Sequence, residues 1–456
     1  MITLTTMTTI TTMTTTANHY KLNLLSCLGI VIGTVIGSGI FVVPAIMIKI
    51  LPSPELLLLV WLFSAGISIT GGLVIAGMGL AYPDARDLLD YYRILFPKWV
   101  VWIFNHMSIW VINIAGTVAV AFVFAEYLSY FLPLDAIANQ VTEPFSAWLS
   151  TNASGKQGLE LFGFFLHVDG LGEKLAAIVL ILLLGAMDMW NMKAADRFQI
   201  FFTAVKVGAL LLLIGLLLIP GKGNMQNFEM SHTENWSTFK LIGAFVAACT
   251  GALNALDGWY MVSHITPEVK GGVKTVKKAI VWGLLICTGL YLLTAFAYQY
   301  ILTPEEMGST HLVAVKALEK ELGGIAPMVI AALVLISTSS CVNANLIASS
   351  RLIASAADQK MMPSVFGKRN KRNIPIQAFI LMLIMEIFFI LTGSYEIFLE
   401  ISVHAIWTFI TMLTAGFLYV YITKKLDLPG FKRTPMIIAC SVLILFGITY
   451  LINAFI

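Results

Sequence analysis

Two stretches of the sequence interrupt long apolar runs with glycine and polar residues. They are residues 33–39 (GTVIGSG) and residues 250–258 (TGALNALDG). A helix that unwinds at such a stretch leaves backbone N–H groups free at the start of one half and carbonyl groups free at the end of the other. The N–H end attracts a carboxylate and the carbonyl end attracts an ammonium group. A zwitterion such as an amino acid satisfies both ends, so the two stretches together predict a binding site for one.

The composition places these stretches in a membrane. Of the 456 residues, 58% are hydrophobic and only 12% are charged, and the mean hydropathy is +0.87. A soluble chain carries about 25% charged residues. This much apolar surface cannot be buried inside soluble domains, which excludes a soluble enzyme and a nucleic-acid-binding protein. The lipid bilayer is the expected surrounding, and no nucleic acid partner is expected.

A helix that crosses a membrane needs about 20 mostly apolar residues. The sequence therefore predicts an all-α membrane protein with about 11 transmembrane helices, at residues 22–50, 56–81, 99–131, 175–190, 199–219, 237–264, 279–301, 326–356, 374–393, 396–422 and 434–456. The Thr-rich segment 1–21 is predicted to be a disordered cytoplasmic N-terminus. Two five-helix repeats, 22–219 and 237–422, are predicted to precede one additional helix, 434–456.

Lys and Arg residues collect in alternate loops. With the N-terminus inside, the inner loops hold 19 of them and the outer loops hold 5. Because positive residues favour the cytoplasmic side, the N-terminus is predicted to be cytoplasmic. The longest loop, residues 132–174, then lies outside, and its amphipathic stretch 159–168 is predicted to lie on the surface.

The two interruptions occupy the first helices of the two predicted repeats. An odd number of spans inverts the second repeat, and interrupted helices at matching positions of inverted repeats are typical of a transporter's midplane binding site. A competing interpretation is that Gly29, Gly33 and Gly37, spaced by four, form a small-residue stripe for helix packing. Ser38 and Gly39 fall off that stripe and the second stretch contains Asn and Asp, which favours binding.

Three segments resemble one family. Residues 32–41 (IGTVIGSGIF) resemble the first-helix motif of the amino acid–polyamine–organocation (APC) superfamily. Residues 254–259 (NALDGW), followed by Pro267 and Glu268, resemble its sixth-helix motif, and residues 341–363 are similar to its eighth helix. The nearest resemblance is to the L-type amino-acid transporter branch, which includes bacterial serine/threonine exchangers.

The resemblance implies a leucine-transporter-like fold, a 5+5 inverted repeat with helices 1 and 6 broken at the midplane. It places the substrate carboxylate on backbone N–H groups of the first interruption and the substrate amine on carbonyl groups of the second. The substrate-binding residues that it implies are Val35, Gly37, Ser38, Gly39, Asn254, Ala255 and Asp257.

The sequence departs from that family in three places. Asn254 stands where the family usually has a Phe gate. The family usually has twelve spans, and the twelfth is absent from the spans predicted here. Animal members bond to a partner chain through a cysteine in the loop after helix 3, and loop 132–174 contains no cysteine. No disulfide-linked heavy chain is therefore expected.

Lys206 lies near the middle of the fifth span, about 11 Å from its inner end at about 1.5 Å per residue. An ammonium group inside a membrane is usually functional, although a long side chain can also snorkel to the interface. The resemblance strengthens the functional interpretation, because sodium-independent members carry a Lys where sodium-coupled relatives bind an ion. Lys206 would then be a fixed surrogate cation linking helix 5 to the broken part of helix 1. Alternatively, it would change protonation during the cycle.

Other polar residues within the spans are weaker candidates. Asn343 and Asn345 are candidates for lining the cavity or for joining helices, and Trp259 is a candidate for lining, gating or packing. The seven His residues show no metal-ligand spacing, and no phosphate loop or catalytic cluster is visible. No metal, no cofactor and no enzyme activity is therefore predicted. The five cysteines lie in apolar stretches and are expected to be buried.

The leading hypothesis is a secondary amino-acid transporter working by alternating access, in which helices 1, 2, 6 and 7 rock against helices 3, 4, 8 and 9. A sodium-independent exchanger of small or neutral L-amino acids is favoured, because Asn254, Ala255 and Leu256 are neutral. Alternatives are a proton-coupled amino-acid carrier, a polyamine or cationic amino-acid carrier, which Asp257 keeps open, and a transport-deficient amino-acid sensor. The expected location is the cell membrane, specifically a bacterial inner membrane.

Overall fold

The structure is a computed structural model. It describes residues 23–37, 39–83, 85, 88–134, 158–161, 164–167, 170–190, 192–218, 223–231, 233, 235–260, 262, 269–372, 374–424, 428 and 432–453. The predicted N-terminal segment 1–21, Ser38, the pair Pro267 and Glu268, and most of loop 132–174 lie outside the described residues.

Among its described residues, the first part of the chain forms eight helices and a hairpin. The helices are α1 (Leu24–Val35), α2 (Gly39–Ile50), α3 (Pro54–Ala81), α4 (Leu88–Leu95), α5 (Lys98–Met107), α6 (Ile114–Ser129), α7 (Leu171–Trp190) and α8 (Met192–Leu218). A π-helical stretch, Ser108–Asn113, joins α5 to α6 without a break in the helical path. The strands are β1 (Gly158–Leu161) and β2 (Phe164–His167).

The described residues of the second part of the chain form eight further helices, which begin after a short 3₁₀ helix, Met225–Phe228. They are α9 (Thr238–Ala255), α10 (Val273–Ile301), α11 (Pro304–Gly308), α12 (Val313–Glu321), α13 (Ala326–Asp358), α14 (Ile376–Thr392), α15 (Tyr395–Thr423) and α16 (Arg433–Asn453). A second 3₁₀ helix, Ser364–Gly367, lies between α13 and α14.

Seven helical segments among the described residues are long and apolar enough to cross a membrane. They are α3, the continuous segment Lys98–Ser129, α9, α10, α13, α15 and α16, and the bent pair α1–α2 makes an eighth. The remaining predicted spans coincide with α7, α8 and α14, of which α14 and the apolar part of α8 (Ala204–Leu218) are shorter. The chain is a multi-pass, predominantly helical membrane protein. The count of 11 and the 5+5 repeat remain predictions.

A first correction concerns loop 132–174, which contains the antiparallel hairpin of β1 and β2 within a predominantly helical chain. Gly158 pairs with His167 and Leu161 pairs with Phe164. The stretch predicted as amphipathic surface, 159–168, begins Leu-Glu-Leu, and this alternation of apolar and polar residues has the period of a strand rather than of a helix.

A second correction concerns the sixth span, which was predicted to run over 237–264 with its interruption starting at Thr250. Helix α9 instead continues through Thr250 and ends at Ala255, and only Leu256–Gly258 form a turn. The small and apolar residues at 251–253 keep the helix intact, because Gly251 packs closely against Val43 and Met47 of α2. The unwound stretch is therefore shorter than its composition indicates.

The helices pack in two groups around the interruptions. Helices α1, α2, α3, α9 and α10 contact one another and form what we name the bundle. Helices α6, α7, α13 and α14 contact one another in the same way and form what we name the scaffold. Helix α8 packs against both α10 of the bundle and α13 of the scaffold. These two groups correspond to the predicted sets 1, 2, 6, 7 and 3, 4, 8, 9.

Candidate functional site

The first interruption is a bend between α1 and α2. Helix α1 ends at Val35, helix α2 begins at Gly39, and their axes differ by 45°. The Val35 carbonyl, which has lost its helical partner, accepts a hydrogen bond of 2.8 Å from the hydroxyl of Tyr291 on α10. The first N–H groups of α2 have no carbonyl of their own helix to bind. The bend therefore presents backbone donors at the start of α2, as the sequence predicts.

The second interruption is the end of α9. Its last turn is closed by backbone bonds from Leu256 to Ala252 and from Asp257 to Asn254, so the Asn254 carbonyl already accepts one hydrogen bond of 3.1 Å. Gly258 follows with φ of 89°, a conformation that L side chains rarely adopt. The helix ends here, and its end lies close to Thr34 and Gly39 of the first interruption.

The two interruptions are in direct contact. The Thr34 hydroxyl lies 3.2 Å from the Gly258 carbonyl oxygen. A Cβ atom on Gly39 would lie 2.8 Å from the Cβ of Ala255 and 2.9 Å from its Cα. Only glycine allows the start of α2 to approach the end of α9 this closely. The N–H end of one helix and the carbonyl end of another therefore face a common space.

That space is a cavity of about 170 Å³ enclosed by bundle, scaffold and α8. Among the described residues it is lined by Gly33, Thr34, Val35, Gly37, Gly39, Gly116, Val120, Lys206, Asn254, Ala255, Asp257, Gly258, Cys341, Ala344 and Asn345. Every sequence-predicted binding residue that the structure describes, apart from Asn343 and Trp259, lies in this lining. Ser38 is not among the described residues.

Lys206 and Asp257 are the charged residues in the lining. Lys206 is 1% exposed, and its Nζ atom lies 3.1 Å from the Sγ atom of Cys341 on α13. Lys206 therefore links α8 to α13. It also lines the same cavity as the bend between α1 and α2. Its side chain stays within the protein rather than reaching the membrane interface.

Asn343 and Trp259 lie outside the lining. Asn343 is fully buried on α13, and both polar atoms of its side chain lack hydrogen-bond partners among the described residues. Trp259 is 1% exposed and packs on α3, where a Cβ on Gly71 would come within 2.9 Å of the indole ring. Trp259 therefore holds the chain that follows the second interruption against α3, on the side away from the cavity.

Several lining residues carry signals that the sequence analysis did not use. Cys341, Ala344 and Asn345 follow the i, i+3, i+4 spacing of one helix face, and Gly116 and Val120 follow i, i+4. The glycine stripe divides between two surroundings: a Cβ added to Gly29 would meet nothing within 4 Å, whereas Gly33 and Gly37 line the cavity. The five cysteines are free, and all but Cys341 are buried.

Broken helices that present opposite backbone dipole ends to one small cavity define a class of protein, the membrane transporters for small charged or zwitterionic solutes. The profile of the amino acid permease family matches residues 22–456. The chain belongs to the amino acid permease family, within the APC superfamily and related to its L-type branch, which confirms the resemblance.

Individual relatives agree with this assignment. The human cystine/glutamate transporter is 25% identical over 88% of this chain and 73% of its own length. The human large neutral amino acids transporter small subunit 2 is 28% identical over 90% of this chain and 71% of its own length. The mouse b(0,+)-type amino acid transporter 1 is 26% identical over 94% of this chain and 81% of its own length. The family and these relatives are amino acid transporters rather than enzymes.

Proposed function

We propose that this protein is a sodium-independent exchanger of small neutral L-amino acids that works by alternating access. The observation that carries the proposal is the cavity of about 170 Å³ between the start of α2 and the end of α9. Pockets for drug-sized ligands measure about 300–1,000 Å³. A volume below that range suits a small amino acid better than a long or aromatic one.

The backbone ends on the cavity match the two charged groups of an amino acid. The N–H groups of Gly37, Ser38 and Gly39 are proposed to bind the carboxylate, because a helix N-terminus carries partial positive charge. The carbonyl groups at the end of α9 and the side chain of Asp257 are proposed to bind the ammonium group. Asn254 and Ala255 leave the remaining wall neutral, which favours a neutral side chain on the substrate.

Sodium independence is proposed from Lys206. A positive side chain that lines the cavity, buried at 1% exposure, supplies a permanent cation between α8, the broken helix and α13. A sodium ion in the same space would meet like charge, which is costly in a low-dielectric surrounding. The protein therefore carries its own cation instead of binding one in each cycle.

The transport cycle is proposed to be a rocking of the bundle against the scaffold. The central cavity lies between these two groups, so their relative motion would open it to one side of the membrane at a time. The basic residues in alternate loops support a cytoplasmic N-terminus, and the membrane is proposed to be a cell membrane, specifically a bacterial inner membrane. The absence of cysteine from loop 132–174 supports a chain without a disulfide-linked heavy chain.

The test is uptake of tritiated L-alanine, L-serine and L-threonine into proteoliposomes that are either empty or preloaded with unlabelled neutral amino acids. Obligate exchange predicts uptake only into preloaded vesicles, unchanged when choline replaces sodium. Equal uptake into empty vesicles would contradict exchange and point to a uniporter or an ion-coupled carrier. Binding without any uptake would identify a sensor.

A matched pair of variants tests the location of the site. In Gly37→Leu the new side chain projects from the cavity wall, where even a Cβ would touch the Cys341 Sγ at 3.4 Å. Gly29→Leu places the same side chain two turns earlier on the same helical path, where an added Cβ would meet no atom within 4 Å. We expect Gly37→Leu to abolish uptake and Gly29→Leu to retain it. Comparable uptake by the two variants would contradict the proposed site.

A further inference from the structure

A second, larger cavity lies next to the central one. It has a volume of about 340 Å³, within the range of pockets that bind small molecules. Its wall is formed by α4, α5, the π-helical stretch, α13 and α15, through Leu88, Leu89, Phe104, Asn105, Ser108, Ile112, Asn113, Tyr260, Ala348, Arg351, Leu352, Ser355 and Ile406. The residues assigned above to substrate binding do not line it.

The two cavities share the same helix faces. On α13, Cys341, Ala344 and Asn345 line the central cavity and Ala348, Arg351, Leu352 and Ser355 line the second. These positions advance by three or four residues and therefore form one stripe. Arg351 lies about 9 Å beyond Asn345 along the axis, at about 1.5 Å per residue. A solute leaving the central cavity along α13 in this direction enters the second cavity.

Two other elements continue in the same way. Ser108 and Ile112 line the second cavity, Gly116 and Val120 line the central one, and the four positions are spaced by four. Gly258 lines the central cavity and Tyr260, two residues later, lines the second. Three separate segments thus pass from one cavity to the next, which makes the pair a single route rather than two unrelated pockets.

Asn105 is the feature of the second cavity that points to a ligand. It is 1% exposed, and neither the nitrogen nor the oxygen of its side-chain amide has a hydrogen-bond partner among the described residues. A buried polar group without a partner destabilises a protein. A ligand with both a donor and an acceptor would satisfy the amide. The neighbouring π-helical stretch is a feature frequent at functional sites.

Arg351 supplies the charge in this wall. No acidic side chain within the described residues pairs with its guanidinium. Guanidinium groups bind carboxylates through two parallel hydrogen bonds. Acidic side chains are absent from the wall described, and apolar contact is offered by residues such as Leu88, Phe104 and Ile406. The wall therefore fits a carboxylate-bearing molecule with a small apolar part.

We propose that the second cavity is a second amino-acid station on the route between the central cavity and the end of α13 that is predicted to be cytoplasmic. Arg351 binds the substrate carboxylate. The Asn105 side-chain oxygen accepts from the substrate's N–H groups, and its side-chain nitrogen donates to a substrate oxygen. The apolar wall holds the substrate side chain. Because this station is larger and its Arg is exposed, it binds more weakly than the central site. The inference rests on the proposed function, since the same solute must pass both cavities.

The test is equilibrium binding of tritiated L-alanine to the purified full-length protein in detergent, measured over a wide concentration range. We expect two classes of site with different affinities. Arg351→Gln should raise the Kd of the low-affinity class at least tenfold and change the Kd of the high-affinity class less than twofold. Gly37→Leu should remove only the tighter class. Arg351→Lys, which keeps the charge, should recover part of the weaker binding. Arg93→Gln, an exposed arginine on α4 paired with Asp90, serves as the control.

Asn105→Leu separates a binding role from a structural one. Replacement of an unpartnered buried amide by an apolar group of similar size should maintain or raise the thermal unfolding midpoint. The same variant should lose most of the weaker binding. A single class of site that Gly37→Leu abolishes and Arg351→Gln leaves unchanged would overturn the second station but not the proposed function. No binding to the wild-type protein at any concentration would overturn both.

Discussion

The two helix interruptions both present polar groups to the central cavity, but the groups that they present differ. Between α1 and α2 the chain bends by 45° and resumes as a helix, and Gly37 and Gly39 at the bend have no side chain. At the end of α9 the helix stops, and the side chains of Asn254 and Asp257 line the cavity together with the backbone. The first interruption thus offers mainly backbone groups, whereas the second adds side chains.

This difference indicates a division of roles. Backbone donors recognise the carboxylate that every amino acid has, and glycines allow the substrate to come close. Side chains such as Asn254 and Asp257 can change without altering the backbone, so the second interruption is where substrate preference is expected to be set. The first interruption is also held by both helix groups: Tyr291 of the bundle binds the Val35 carbonyl, and Tyr127 of the scaffold binds the Phe41 carbonyl at 3.1 Å.

The largest effect is expected from Gly39, where the two interruptions touch. Gly39→Ala adds a Cβ that would lie 2.9 Å from the Cα of Ala255, so the backbone of α2 or α9 must move. We expect L-alanine uptake to fall at least tenfold, and Gly39→Val to abolish it. The control is Gly289→Ala on α10, which has open space at its Cβ. Wild-type uptake by Gly39→Val would show that the contact is not needed.

The next largest effect is expected from Lys206. Lys206→Met keeps much of the side-chain length but removes the positive group from the cavity that Lys206 and Asp257 both line. We expect at least a tenfold loss of uptake with the protein still folded, because methionine packs well in buried positions. Lys240→Met, at an exposed lysine over the Trp236 ring, should leave uptake unchanged. Sodium-dependent recovery of uptake in Lys206→Met would sharpen the surrogate-cation proposal, and unchanged uptake would contradict it.

Tyr291 tests how the first interruption is held. Tyr291→Phe leaves the Val35 carbonyl without its hydroxyl partner, which we expect to destabilise the protein by about 1–3 kcal/mol. Tyr298→Phe is a matched control two turns along α10, equally buried, with a hydroxyl that has no partner among the described residues. Thermal unfolding in detergent should show a lower midpoint for Tyr291→Phe alone. Equal midpoints would mean that the carbonyl is satisfied in another way.

Sequence reasoning singled out residues where the signal is local, and their binding roles stay predictions. Gly37, Gly39, Asn254 and Asp257 stand out because polar or flexible residues interrupt apolar runs, and all four line the cavity. Lys206 was found for the same reason. The pairing of the two interruptions came from their matching positions in the two predicted repeats, and the family resemblance agreed with it.

The rest of the site depends on how the helices pack in three dimensions. Gly116 and Val120 are small apolar residues in an apolar helix, and nothing in their neighbourhood distinguishes them from residues facing lipid. Asn343 and Asn345 are two residues apart on α13 and therefore face different sides of it. Only the packing of α13 decides that Asn345 lines the cavity and that Asn343 is buried elsewhere.

A smaller effect is expected from the link between the interruptions. The Thr34 hydroxyl has one proton and three carbonyl oxygens within reach, those of Ile30, Val31 and Gly258. Thr34→Val therefore removes only a shared hydrogen bond, and we expect a two- to threefold loss of uptake. Thr449→Val removes a hydroxyl that bonds only within its own helix and should have no effect on uptake. A loss as large as that of Gly39→Ala would mean that this bond, rather than the close contact, joins the interruptions.

The smallest effect concerns the far end of α2, which packs against the short helix α11. Burial tends to raise the pKa of Glu306 on α11, but hydrogen bonds from the Lys320 ammonium and the Thr303 backbone N–H, together with the charge of Lys320, hold that pKa below its ordinary value. Because the pKa is lower in the folded protein, the stabilisation is complete above the unfolded-state pKa and is lost as the pH falls through the folded-state pKa.

We therefore expect Glu306→Gln to lower the thermal unfolding midpoint slightly at pH 7. The difference from the wild-type protein should vanish as the pH is lowered through the acidic range. Glu229→Gln, at an exposed carboxylate in the loop before α9, should show no such pH dependence. A difference for Glu306→Gln that stayed constant with pH would mean that hydrogen bonding, which glutamine can partly keep, rather than charge secures α11. The contact between α11 and the far end of α2 would then be independent of pH.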